Sequence, residues 1–358
     1  MERNCITLEL IVFFDITPKK SISIHCKVIM KNHIVRKVIA RVLSRVLGAA
    51  LLLSPVALLH AQNFPNRPVT LIAPWPAGGS SDAILRAFAE SASKHLGQPV
   101  IVQNKPGAGG ILGAAEMVNA KPDGYTITQL PLGIFRLPHM QKTTFDPLKD
   151  LTYVVCLTGY TFGIAVPADS PFQSVADVVN YAKANPGKLT YGHTGTGTTP
   201  HLAVEEFAAK AGIQLLDIPY KGSVEVLTAI LGKQIMMMSG TPEYTPHVDS
   251  GRLRLLATLG NARTKVFPKV PTVKESGHDT VSESPFGIGA PAGTPPEIVK
   301  ILHDAFKKTL DDPAVQAKLD QFQQPTIYMN TADYTAYARR TFAAERATVA
   351  RLGLLRKD

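Results

Sequence analysis

Two glycine-rich loops carry the residues whose types and spacing could do chemistry. The first, Pro74-Trp75-Pro76-Ala77-Gly78-Gly79-Ser80-Ser81-Asp82, lies between the apolar run 69–73 and a helical pattern that starts at Asp82. The second, Gly192-His193-Thr194-Gly195-Thr196-Gly197-Thr198-Thr199, lies between the run 188–191 and a helix opened by Pro200. A loop of this kind leaves backbone N–H groups pointing at open space, and the helix dipole adds positive potential there. Such a place favours an anion, and a carboxylate is the simplest one. Thr194, Thr196, Thr198 and Thr199 add hydroxyl donors. The plainer reading of each loop is a tight turn with a side-chain cap.

His193 and His201 flank the second loop, which suggests an acid-base or metal pair, but no adjoining carboxylate pattern completes such a site. His201, near a helix start, reads as a capping or ligand-contact residue. Trp75, the single tryptophan, is held in a loop by flanking prolines and reads as a cleft wall. A third glycine-rich stretch, Lys105-Pro106-Gly107-Ala108-Gly109-Gly110-Ile111-Leu112-Gly113, invites a dinucleotide reading, yet Leu112 stands where that fingerprint needs glycine. Close packing of loop on helix is the alternative. Phosphate-loop, His-Glu-x-x-His and Gly-x-Ser-x-Gly patterns are absent from the sequence.

These loops need a scaffold, and the chain supplies one by alternating short apolar runs with amphipathic helices. Strands are expected at 69–73, 99–103, 125–128, 163–166, 188–191, 215–219, 234–238, 253–258 and 286–290. Helices are expected at 82–96, 110–120, 174–184, 200–212, 223–231, 295–309, 313–322 and 332 to about 352. Such alternation predicts a largely parallel sheet with helices on both faces. The second half repeats the device of the first, so two α/β domains with a cleft between them are the economical arrangement.

With 358 residues and 45% hydrophobic content, the chain can bury a sizeable core. The net charge of +10 is uneven: residues 1–61 hold nine Lys or Arg against three acids. The remaining +4 is too mild and too evenly spread for a nucleic-acid partner. From Met30 a basic region, an apolar run over 46–59 and Ala61 make a cleavable secretory signal peptide. The apolar run is short for a membrane span, which needs about 20 residues. Residues 1–29 precede a complete signal, so Met30 is the expected start. Cys156 is then the single mature cysteine, which excludes an internal disulfide and a cysteine-rich metal cluster; its strand-like surroundings make it a buried small hydrophobe.

Several motifs then follow in order: the first loop, Asn104-Lys105-Pro106-Gly107-Ala108-Gly109-Gly110, Gly195-Thr196-Gly197 with Pro200-His201-Leu202-Ala203, and Pro219-Tyr220-Lys221-Gly222. Later come Ser250-Gly251-Arg252-Leu253-Arg254-Leu255-Leu256-Ala257, Val270-Pro271-Thr272-Val273-Lys274-Glu275-Ser276-Gly277 and Ala290-Pro291-Ala292-Gly293-Thr294-Pro295. In these the chain, from Phe64 to its end, resembles the Bug-type receptors, the periplasmic solute-binding components of tripartite tricarboxylate transporters. The resemblance implies a two-domain type II periplasmic-binding-protein fold with a ligand cleft between the domains. It also implies a carboxylate ligand (a di- or tricarboxylate, an amino acid or an aromatic acid) gripped by the loops matching 77–82 and 194–201. Two departures stand out. Phe135 and Arg136 replace a small polar stretch, and Ser239 follows a strand where many members carry an acid or amide.

The expected organisation is an N-terminal extension and signal over 1–61, one domain from 62–162 with 286–358, and a second from 163–285. The expected ligand contacts are Trp75, Ala77, Gly78, Gly79, Ser80 and Asp82 on one side, with Asp82 ordering its own loop. Thr194, Gly195, Thr196, Gly197, Thr198, His201 and Tyr220 form the other side, and Phe135, Arg136 and Ser239 help to set selectivity. No cofactor, metal or catalytic residue is expected. The protein would be a periplasmic monomer whose partners are the ligand and membrane permease subunits or a sensor kinase. An alternative of another class is an α/β enzyme acting on a carboxylate with His193 or His201 as base.

Overall fold

Branched apolar runs become the inner strands. The computed structural model describes residues 64–357; the expected signal peptide, with Cys5 and Cys26, falls outside the described residues. The first strands are β1 (Val69–Ala73), β2 (Val100–Asn104), β3 (Thr126–Leu130) and β4 (Leu151–Tyr160). Then follow β5 (Gly163–Pro167), β6 (Thr190–His193), β7 (Leu216–Pro219), β8 (Met237–Gly240) and β9 (Leu253–Thr258). β10 (Ser284–Pro291) and β11 (Thr326–Met329) complete the set. They build two sheets, a six-stranded one in the order β11-β4-β10-β3-β1-β2 and a five-stranded one in the order β7-β6-β8-β5-β9.

Both sheets are mixed, which corrects the expectation of a largely parallel sheet. β1 pairs in parallel with β2 and β3, and β6 does so with β7 and β8. β10 runs antiparallel to β3 and β4, and β5 antiparallel to β8 and β9. The cause is the path of the chain: it leaves the six-stranded sheet through Thr161-Phe162 after β4 and returns through residues 259–283 into β10, so the long central strands meet head to tail. Gly287 and Gly289 permit the close β10 crossing, since a Cβ on Gly287 would lie 2.0 Å from the Val155 carbonyl oxygen.

The helices that matter to the site start at its edge. α1 (Ser80–Leu96) follows β1, α2 (Leu112–Met117) follows the third glycine-rich stretch, and α3 (Gly133–Met140) follows β3. In the second lobe, α4 (Val175–Ala184) opens with a capping box between Ser174 and Asp177. α5 (Thr199–Ala211) carries Pro200 in its first turn and stops at Gly212 in the left-handed conformation. α6 (Ser223–Leu231) and the short α7 (Thr245–Asp249) complete that lobe. α8 (Pro296–Lys308), α9 (Pro313–Gln321) and α10 (Thr331–Arg351) return to the first, where α10 packs on α3 and β4. Among the described residues no helix is long and apolar enough to cross a membrane.

Among the elements that escape the sequence reading are the short α7, a helix over 133–140 and the edge strand β11. The stretch over 133–140 contains Pro138 and is assigned no element in the sequence reading, yet it is the helix α3, with Ile134, Phe135, Arg136 and Leu137 all buried. The edge strand β11 is only four residues long and half exposed, so it leaves little periodic signal. Cys156 is fully buried in β4, and burial pushes its thiol up to about 12.

Candidate functional site

The first loop is shaped by a carboxylate of its own helix. Asp82 accepts from the Gly78 N–H (3.0 Å), from Arg86 Nε (3.1 Å) and from Asn104 Nδ2 (2.9 Å). Asn104 Nδ2 also donates to the Trp75 carbonyl (3.0 Å), so both ends of the loop are tied to one network. Burial pushes the Asp82 carboxyl upward, and the hydrogen bonds from Arg86, Asn104 and Gly78 outweigh it, leaving the pKa below the usual value. Gly78 sits at φ +90°, where a side chain would be strained.

The second loop is bracketed by its two histidines. The Gly195 N–H donates to His193 Nδ1 (3.2 Å) and the Gly197 N–H to His201 Nδ1 (3.1 Å). Thr198 Oγ1 donates to the Gly195 carbonyl at 2.6 Å, which closes the turn. Each imidazole therefore carries its hydrogen on Nε2 and turns it toward Asp217, at 3.3 Å from His193 and 3.9 Å from His201. Burial lowers the His193 pKa, against the partial opposition of Asp217; burial and the neighbouring His193 push His201 down to about 4. Both are neutral at pH 7.

Asp217 is the carboxylate that the sequence did not supply. It lies sixteen residues beyond His201, on β7, and the parallel pairing with β6 sets Tyr191 opposite Asp217 and His193 opposite Pro219. His193, His201 and Asp217 have ligand atoms within 4.8 Å of one another, a spacing that suits a cation. The donor chemistry does not fit one. A metal takes a nitrogen lone pair, and here both Nδ1 lone pairs accept backbone N–H groups while both Nε2 atoms bear hydrogen.

The two loops face each other across a cavity between the lobes of about 70 Å³. Trp75, Pro76, Gly79 and Ser80 line it from the first loop, with Ser81 and Tyr160 behind them. Thr194, Thr198, Thr199 and Pro200 line it from the second. Ser81 Oγ bonds Gln129 Oε1 (3.0 Å) and lies 2.7 Å from Tyr160 Oη, which also receives Gln129 Nε2 at 2.5 Å. Burial raises the Tyr160 hydroxyl to about 12, so it stays a neutral wall. A second recess, of about 520 Å³, shares Gly109 and Thr194 with the first and adds Gly195, Thr196, Tyr220 and Lys221.

The residues expected to bind divide accordingly. Trp75, Gly79, Ser80, Thr194 and Thr198 line the inner cavity, and Thr194, Gly195, Thr196 and Tyr220 the outer recess. Ala77 and Gly78 are exposed outside both. Asp82, Gly197 and His201 stand behind the walls as the loops' own braces. Phe135 and Arg136 are not at the cavity: α3 turns them inward, Phe135 against Tyr153 and Tyr337, and Arg136 onto Glu345 of α10 (2.6 and 3.0 Å). Arg136 Nη1 also donates to the Gly197 carbonyl (3.2 Å), so it braces the second loop from the opposite lobe. Ser239 is buried on β8 away from both cavities, and its hydroxyl has no partner.

Besides Asp217, further contributors were missed, Gly109, Gly110 and Glu243 among them. Gly109 lines both cavities, and Gly110 lets the Trp75 ring lie against the backbone, since a Cβ there would meet the indole at 2.9 Å. This is the close packing that competes with the dinucleotide reading. Glu243, in the turn after β8, reaches across the lobes: its Oε1 accepts from the Ser80 N–H (2.8 Å) and from Ser223 Oγ (2.6 Å). A lone glutamate in an irregular turn carries no sequence signal.

Two lobes of mixed α/β sheet, joined by two crossings and clamping a cavity with opposed helix N-termini, make the fold of the periplasmic binding proteins. Residues 84–354 match the tripartite tricarboxylate transporter family receptor, and the chain belongs to that family. It is 50% identical over 295 residues, 82% of this chain and 90% of the relative, to the UPF0065 protein in the gbd 5' region of Cupriavidus necator. Its fold is that of the periplasmic binding protein BugD, with TM-score 0.78 and 29% identity over 82% of this chain and 100% of that one. A protein of R. palustris solved with adipate is similar too, with TM-score 0.76 and 29% identity over 81% of this chain and 98% of that one.

Proposed function

We propose that the chain is an extracytoplasmic receptor that binds a small carboxylate between its lobes and presents it to membrane permease subunits. The observation that carries this reading is the inner cavity itself, walled by the opposed N-terminal ends of α1, α5 and α6 and by hydroxyls from both lobes. The likeness to a protein solved with adipate supports the same ligand class. In this reading the lobes part to load the cavity and close over the acid.

The ligand contacts in this reading are Trp75, Gly79 and Ser80 opposite Thr194, Thr198 and Thr199. The lobes divide at 62–162 with 286–358 and at 163–285, and the leader directs the chain to the periplasm as a monomer. The protein is a receptor and not an enzyme. A buried, hydrogen-bonded histidine pair is the feature an enzyme would need, but His193 and His201 have no lone pair directed at the cavity. The test is a thermal-shift screen over small carboxylates with mass spectrometry of the bound fraction. Stabilisation by an acid recovered chemically unchanged is expected. No shift with any acid would overturn the receptor reading, and turnover of a bound acid would replace it with the enzyme.

A further inference from the structure

The inner cavity has no cation in its walls. Among its lining residues the charged side chain is Glu225, and the apolar surface comes from Trp75, Phe162, Leu132 and Val224 with three prolines. The one lysine in the walls of either space, Lys221, is exposed and belongs to the outer recess. The donor that α1 offers at Ser80 is already taken by a protein carboxylate, Glu243, which also holds Ser223. Its other oxygen, Oε2, is buried with no partner.

Resting on the receptor reading above, we infer that the site selects an acid with one carboxylate on an apolar body, and that Glu243 excludes the second carboxylate. An incoming second carboxylate at the α1 end would meet Glu243 at short range, where like charges repel strongly. It would succeed only by displacing Glu243 from both of its donors, and Oε2 has none to offer in exchange. That leaves a buried charge unpaired. The ligand's single carboxylate is left to the α5 end, among Thr194, Thr198 and Thr199, and its body lies against Trp75 and Phe162.

Calorimetry with the matched pairs hexanoate and adipate, and benzoate and terephthalate, removes every difference except the second carboxylate. The monoacid of at least one pair should bind tenfold or more tighter than its diacid, about 1.4 kcal/mol. Glu243→Gln keeps the shape and both donors' partner while removing the charge, and it should narrow that ratio to about threefold or less. A diacid that binds as tightly as its monoacid overturns the selectivity while leaving the carboxylate receptor standing. A preference unchanged in Glu243→Gln overturns the role of Glu243. If none of the four acids binds and other carboxylates do, the selectivity is again overturned; if no carboxylate binds, the receptor reading falls with it.

Discussion

The two jaws of the cleft solve one problem with opposite chemistry. Both must hold a glycine-rich loop open at a helix start, and both spend backbone N–H groups to do so. The first jaw is held by carboxylates: Asp82 takes the Gly78 N–H from within its own helix, and Glu243 takes the Ser80 N–H from the other lobe. The second is held by neutral imidazoles, His193 on Gly195 and His201 on Gly197. A jaw braced by anions already satisfies part of its own positive end, whereas one braced by neutral groups keeps its helix-dipole field for a ligand. The acid end of the ligand therefore belongs to the second jaw, and the first shapes and screens it.

The largest effect on binding should come from closing the gap between the jaws. Gly79 has φ −84°, open to any residue, but a Cβ there would lie 3.1 Å from Ser223 Oγ and 3.4 Å from Glu243 Oε1. Gly79→Val should lower ligand affinity a hundredfold or more, about 2.7 kcal/mol, with an unchanged circular-dichroism spectrum. Equal affinity in calorimetry would place the ligand elsewhere. Next, Arg136→Met strands Glu345, whose side chain is 12% exposed, and removes the donor to Gly197. It should destabilise the protein by about 3 kcal/mol in urea unfolding, and a cost under about 1 kcal/mol would remove Arg136 as a brace of the second loop.

The histidine brace can be read by pH. A histidine whose folded pKa lies below its ordinary 6.5 resists protonation, so the unfolded chain binds more protons between that value and about 4. The stability that His201 contributes is complete above pH 6.5 and is lost as the pH falls toward 4, on the order of 3 kcal/mol in all. His201→Asn, which keeps an acceptor for Gly197 but does not titrate, should flatten this decline in denaturant unfolding from pH 7 to 4. An identical slope would show that His201 carries no such load. The smallest effect is expected from Asp82→Asn, about 1–2 kcal/mol, because Arg86 is half exposed and screened. A larger loss there than for Arg136→Met would reverse the comparison of the jaws.

The positions of both loops were legible because each sits between a strong strand pattern and a helix start, and such boundaries are marked by glycine and proline. Trp75 as a wall and Asp82 as a brace followed from the same local reasoning. The inward turn of Phe135 and Arg136 was not legible, because Pro138 hid α3 and Glu345, the partner of Arg136, lies 209 residues away on α10. Asp217 and Glu243 were invisible for a related reason: each acts through a strand register or a lobe contact, and neither leaves a spacing in the sequence. His193 and His201 were marked as noteworthy by type, but which nitrogen is free is decided only by the fold of the loop between them.

The most direct test of the whole account is a crystal structure of the protein with the acid that stabilises it most. The carboxylate should lie between the lobes, within hydrogen-bond distance of the Thr194 to Thr199 jaw, with its body against Trp75 and Glu243 still bonded to Ser80. An acid seated outside this cavity, or one whose carboxylate has displaced Glu243 from Ser80, would contradict it.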